Sequence, residues 1–213
     1  SDSDVKGRTR VGFVANGRYV VTPVGAEDAE KYVDLQLRCL AETYNGLVDP
    51  DFGARQAAER DGWLEEFAEN IAAPGARAFF AYENPAWTPA GGLSCAVGGE
   101  IDWEAPVGFA LSRPGPLAWE LEIGLPPVEE GTRELTHLYT LASTHGTGLG
   151  AALFDAVLYP DEPAYLWYIV GNERAREFYG RRGFEGEGLP IDCGGAWAPA
   201  RTARMYRGLT LPS

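Results

Sequence analysis

Ser143–Phe154 reads STHGTGLGAALF, a glycine-rich turn that leads from a predicted strand into a predicted helix. A turn of this kind can hold phosphate. The first N–H groups of a helix lack intrahelical partners, and the helix dipole puts partial positive charge beside them. Glycines keep side chains out of the way and permit left-handed backbone. Gly146, Gly148 and Ala151 satisfy G-x-G-x-x-[GA], the dinucleotide fingerprint. A P-loop needs Gly-Lys-Ser/Thr, and no lysine lies nearby, so that reading falls. A third reading is a loop for the pyrophosphate of coenzyme A. The turn alone does not separate the first reading from the third.

Its place in the chain does. A dinucleotide fingerprint sits on the first strand of its domain, with an acid about 20 residues further on for the ribose. Here about 60 residues remain after the turn, too few for the outstanding βαβ units, and Asn172 follows the next strand where an acid is wanted.

The surrounding pattern is mixed. Tyr19–Val24 reads as an opening strand. Residues 25–44 carry Ala29, Val33, Leu37, Leu40 and Tyr44 at helical spacing. A second amphipathic helix is expected over Ala54–Ala72 and short strands over Ala78–Tyr82 and Val107–Ser112. Glu134–Leu141 is the strand entering the turn, Ala151–Leu158 the helix leaving it, and Ala164–Val170 a buried strand. Asn172–Arg182 reads as a short helix, and Arg204–Arg207 as the last strand. Residues 84–106 are rich in Gly and Pro and form an irregular insertion. Trp87, Trp103 and Trp119 lie in irregular stretches; they either fold back on the core or cover an acceptor pocket.

At 213 residues, 45% hydrophobic and 23% charged, the chain suits a single domain over 1–213 with a sizeable core. No apolar run approaches the roughly 18 residues that span a membrane. The opening SDSDVKGRTR lacks the apolar stretch of a signal peptide, so a cytoplasmic setting is expected. Cys39, Cys95 and Cys193 offer neither a disulfide framework nor metal-ligand spacing. A net charge of −13 argues against a nucleic-acid surface. Acids gather between Glu27 and Glu69 and arginines between Arg174 and Arg207. Either both runs are solvated helix faces, or they mark an acceptor side and a cofactor side.

LYTLASTHGTGLGAAL resembles the pyrophosphate-binding motif [RQ]-x-x-G-x-[GA] of the GNAT superfamily of N-acyltransferases. NERAREFYGRRGF resembles the N-x-x-A-x-x-F-Y-x-x-x-G-F helix of the same superfamily, and VTPVGAEDAEKYVDLQLRCLAETYNGL its first strand and paired helices. The resemblance implies an α+β fold whose mostly antiparallel sheet is splayed between two parallel strands and flanked by helices. It implies acetyl-CoA as co-substrate, no metal, and pantetheine lying along Tyr139, Thr140 and Leu141. The pyrophosphate would meet His145, Gly146, Thr147, Gly148, Leu149 and Gly150. Asn172 would hold the pantetheine amide, and Ala175 would allow close approach. At the head of the loop the family has Arg or Gln where this chain has His145, a residue that either touches phosphate or packs and caps.

Acyl transfer to an amine needs a neutral amine, a donor for the oxyanion and a proton for the departing thiolate. By resemblance Tyr179 is the acid, with aromatic packing as its alternative, and Glu134 is the base. Simple alternation puts Glu134 on one face with Thr136, Leu138 and Thr140, and His137 on the other. His137 and a water chain stay open as alternative bases. Tyr44 and Glu42, near Asp49, are expected at a small-molecule or peptide amine acceptor, with cationic acceptors favoured by charge sign. A homodimer and a non-catalytic acyl-CoA sensor stay open.

Overall fold

The computed structural model describes residues 2–3, 9–10, 12–90, 100–186 and 188–210. Two short strands, β1 (Asp2–Ser3) and β2 (Thr9–Arg10), pair with each other. The main sheet has nine strands. Its first five are β3 (Phe13–Ala15), β4 (Tyr19–Pro23), β5 (Arg77–Glu83), β6 (Gly108–Pro114) and β7 (Arg133–Thr140). The others are β8 (Ala164–Ile169), β9 (Glu185–Gly186), β10 (Ile191–Asp192) and β11 (Arg201–Arg207). The order is β10-β11-β8-β7-β6-β5-β4-β3, with β9 also on β11.

Every pairing in this sheet is antiparallel except β7 with β8. That parallel ladder has three rungs: Arg133 to Ala164, Glu134 to Tyr165 and Leu135 to Leu166. Beyond them the strands part, as the family resemblance implies. A gap between two strand ends leaves unpaired main-chain groups on its walls, a place for an extended ligand.

Helices cover both faces because the strands alternate. Ala81 of β5 faces α4 (Leu149–Val157), packing with Leu149, Leu153, Phe154 and Val157. Phe80 and Tyr82 face the other way, towards α1 (Ala29–Tyr44). There Tyr32 is fully buried, its ring edge-on to Phe109 with centroids 4.5 Å apart. Burying side chains of this size contributes about 1.5–3 kcal/mol each. The helix expected over residues 54–72 is two, α2 (Phe52–Ala58) and α3 (Arg60–Ala72), broken at Glu59. Helical spacing continues through the break, so periodicity alone does not reveal it. The last helix is α5 (Glu173–Gly180).

The irregular stretches divide. Trp87 lies under the Arg18 guanidinium at 4.3 Å, and Trp103 packs edge-on to Tyr82 at 5.0 Å, so both fold back on the body. Trp119 instead stacks against Trp167 beside a cavity. The middle of the insertion, with Cys95, lies outside the described residues. No helix among the described residues is long and apolar enough to cross a membrane.

Candidate active site

The quoted turn closes with left-handed glycines, Gly146 at φ 78° and Gly148 at φ 84°, the latter the N-cap of α4. Side chains resist that backbone, so glycine is needed at both positions. No main-chain acceptor among the described residues meets the N–H groups of Gly146 or Gly148. Leu149 and Gly150 open α4, where N–H groups lack helical partners. Four amides thus stand near the positive end of one dipole. Thr147 fixes the turn from behind: its hydroxyl donates to the Thr144 carbonyl and accepts from the Tyr19 hydroxyl at 3.1 Å.

These amides line a groove of about 790 Å³ that runs between β7, the turn and α5. Tyr139, Thr140, His145, Gly146, Gly148, Leu149, Gly150, Asn172, Ala175 and Tyr179 all border it. Two expected contacts lie elsewhere. Leu141 is buried, its N–H given to Val107 and its carbonyl taken by Thr144. Thr147 turns its side chain into the loop and does not border the groove. Asn172 caps α5, its side-chain oxygen accepting from the Ala175 N–H at 3.2 Å, and it lies near the Tyr44 hydroxyl.

His145 does not stand alone. Its Nε2 lies 2.8 Å from Arg174 Nη1, and the nearby Thr140 main chain favours the protonated ring. Burial, then the nearby Arg174 charge, pushes the imidazole below its usual pKa. Arg181 and Arg182 are also on the wall, and against Glu42 and Glu173 they and Arg174 leave the groove slightly cationic. Arg174 was not legible as a candidate, because it occupies a variable position of the helix motif. Glu42 lies on this side too, its carboxylate accepting from the Ala142 N–H at 2.8 Å, and does not line the cavity on the α1–α3 side of the sheet.

That second cavity, of about 900 Å³, opens on the α1–α3 side of the sheet. Glu59, Glu65, Glu66 and Glu69 reach it from α3 and its N-cap, and Asp192 from β10. No Lys or Arg among the described residues lines it. Trp63, Trp119, Trp167 and Trp197 supply apolar walls. Asp49 is not part of this field; Arg55 holds both its oxygens, at 2.8 and 2.7 Å.

Simple alternation along β7 fails at one residue. Leu111 pairs with His137 and Ser112 with Leu135, so Thr136 is an extra residue, a β-bulge. The bulge resets the faces: Glu134, His137 and Tyr139 all border the acidic cavity, while Leu135 and Leu138 pack towards α4. His137 therefore shares a face with Glu134. Tyr32 meets its Nδ1 at 2.8 Å and Gln36 its Nε2 at 3.2 Å. Burial lowers its pKa to about 4, which keeps it neutral and occupied.

Glu134 is buried, and burial followed by the charge of Glu120 holds its carboxyl well above the usual range. Glu120 itself is anchored by Trp167 Nε1 at 2.7 Å and by the Tyr165 hydroxyl at 2.8 Å. The same hydroxyl lies 3.4 Å from Glu134. Glu120 comes from a turn-rich stretch with no periodicity, so nothing in the sequence marks it.

Groove and cavity meet at Tyr139, which lines both. Tyr44 borders the cavity and Tyr179 the groove, each with its hydroxyl pushed up, first by burial. The hydroxyls stay protonated and stand as donors between two cavities of opposite charge.

The sequence profile of the Acetyltransferase (GNAT) family matches residues 55–184. The chain belongs to the GNAT acetyltransferase family. No curated protein sequence matches it. Among solved structures it is similar to a Corynebacterium glutamicum protein described as histone acetyltransferase HPA2 and related acetyltransferase. The two are 25% identical with TM-score 0.53, covering 92% of this chain and 99% of that one. The PaiA N-acetyltransferase of Thermoplasma acidophilum, solved with coenzyme A, is 14% identical at TM-score 0.53, covering 89% and 98%. A GNAT-family acetyltransferase of Staphylococcus aureus is 14% identical at TM-score 0.54, covering 89% and 98%. These last two likenesses bear on the fold alone. For this GNAT chain the parted strands and bare turn fit the acyl-CoA use of the family; no group of acidic, His or Cys residues among those described is placed to hold a metal ion.

Proposed function

We propose that this GNAT protein transfers an acetyl group from acetyl-CoA to a primary amine of a small cationic molecule or peptide terminus, within a ternary complex. One observation carries the reading: a cationic groove and an acidic, aromatic cavity meet at Tyr139. A polyanionic donor and a cationic acceptor are drawn to opposite sides of one wall.

The chain's residues divide the chemistry. The amides of Gly146, Gly148, Leu149 and Gly150 hold the diphosphate, with Tyr139, Thr140, Asn172 and Ala175 along the pantetheine. Tyr44 orients the acceptor. Glu134, tuned upwards by Glu120, takes the proton of the bound ammonium, directly or through water. A carboxyl raised towards neutrality suits that task better than an ordinary one. The nitrogen then attacks the thioester carbonyl, and main-chain donors on the bare edge of β7 meet the oxyanion. Tyr179 donates to the departing sulfur. An ordinary phenol near 10 is a weaker acid than a thiol near 8.5 by about 2 kcal/mol, and burial of Tyr179 widens that gap, so full transfer is uphill. Its service is hydrogen-bond donation as charge develops.

Incubation with acetyl-CoA and a panel of amines, read as free thiol released, tests the proposal. Release that saturates with cationic amines and is weaker with neutral amines of the same shape supports it. Coenzyme A binding with no release from any amine would assign the fold to a non-catalytic acyl-CoA binder.

A further inference from the structure

We infer that Arg174, aimed by His145, supplies the side-chain cation at the diphosphate site that the loop itself lacks. The inference rests on the reading of the groove as a coenzyme A site.

The hydrogen-bond chemistry around His145 allows one arrangement. Arg174 Nη1 can only donate, so His145 Nε2, 2.8 Å away, is the lone-pair nitrogen. The ring proton then sits on Nδ1. This contact joins the head of the loop to the first turn of α5. It ties together two segments 29 residues apart in sequence, both on the groove wall.

Arg174 reaches this wall without an acidic partner. No carboxylate among the described residues lies within salt-bridge distance of it, whereas its neighbour Arg176 meets Glu173 at 3.6 Å. His145 engages one of five guanidinium N–H groups and leaves the fork free for a phosphate oxygen pair. Arginine in that geometry is preorganised for phosphate. A histidine at the loop head is a poor phosphate ligand at neutral pH, because it carries little charge there. As an acceptor that positions an arginine it needs no charge. The imidazole faces Arg174, Glu42 and the Thr140 main chain; burial first, and then the Arg174 charge, favours its neutral form.

The test is calorimetric titration of the full chain with coenzyme A, dephospho-coenzyme A and pantetheine, with thermal melts to show that each variant is folded. Arg174→Ala should weaken coenzyme A and dephospho-coenzyme A alike, by about tenfold or more, and leave pantetheine unchanged. His145→Ala should weaken both nucleotides several-fold, and His145→Gln, whose side-chain oxygen can accept from Arg174, should restore them. An Arg174→Ala variant that keeps full coenzyme A affinity overturns the inference and leaves the groove assignment standing. A loss confined to coenzyme A, with dephospho-coenzyme A unaffected, overturns it too, by moving Arg174 to the 3′-phosphate. A loss in His145→Gln equal to that in His145→Ala removes the positioning role. Wild-type protein that binds none of the three ligands overturns the groove assignment itself.

Discussion

Tyr139 joins Tyr179 to Tyr44: it lines both the groove that Tyr179 borders and the cavity that Tyr44 borders. Replacing Tyr179 by Phe keeps the ring contacts with Phe178 and Phe184 and removes only the hydroxyl. We expect kcat to fall by roughly 10²-fold while coenzyme A affinity stays level, because the donor acts on charge that develops only during reaction. Steady-state kinetics beside calorimetry check this; equal loss in both would make the tyrosine a packing residue.

If Glu134 takes the acceptor's proton as proposed, it should set the acid side of the pH–rate profile. Its carboxyl is raised by burial and by Glu120, with Glu66 adding to the rise and Arg113 opposing it. The working, ionised form therefore builds up only above the usual carboxylate range, and the rate should climb with pH there. Glu120→Gln removes a like charge, lowers the Glu134 pKa and should move that limb to lower pH. Glu134→Gln should abolish the limb and lower kcat by about 10²-fold. An unmoved limb in Glu120→Gln would break the link between the two carboxyls.

His137 makes a prediction about stability. Its folded pKa of about 4 lies below the ordinary histidine value, so the unfolded chain binds the extra proton more readily. Stability from this group is complete above about pH 6.5 and is lost as pH falls towards 4, by on the order of 1–3 kcal/mol. Urea unfolding between pH 7 and 4 should show that slope, and His137→Gln, which can keep partners in Tyr32 and Gln36, should flatten it.

The acids of α3 should govern acceptor choice. Glu65→Gln with Glu69→Gln removes two charges from the cavity wall. The value of kcat/KM for a cationic amine should drop by about tenfold at low salt, with little change for a neutral amine. High salt should erase the difference between variant and wild type. Equal effects on both amines would remove charge from the account.

Much of this was open to a sequence reader, for reasons that differ by residue. Gly146 and Gly148 are visible because only glycine takes left-handed backbone freely, and Asn172 because a strand followed by a helix wants a cap. The β7–turn–α4 unit is local, so its order follows from neighbouring residues. The bulge at Thr136 is set by partners on β6, and it reverses the facing of His137. The break at Glu59 lies inside an unbroken amphipathic pattern. Glu120 and Arg174 gain their places from contacts with Tyr165, Trp167 and His145, residues 29 to 47 positions away. The acidic field was expected around Glu42 and Asp49, whereas the acidic cavity draws its acids from α3, Glu134 and Asp192.

The account rests on the bare turn after β7 as a diphosphate site beside parted strands. Titrating ¹⁵N-labelled protein with coenzyme A, and following each amide, tests that most directly. The amides of Gly146, Gly148, Leu149 and Gly150 should shift together along one saturation curve, and Gly148→Asp should remove it. Shifts that spare these four amides while coenzyme A still binds would contradict the account.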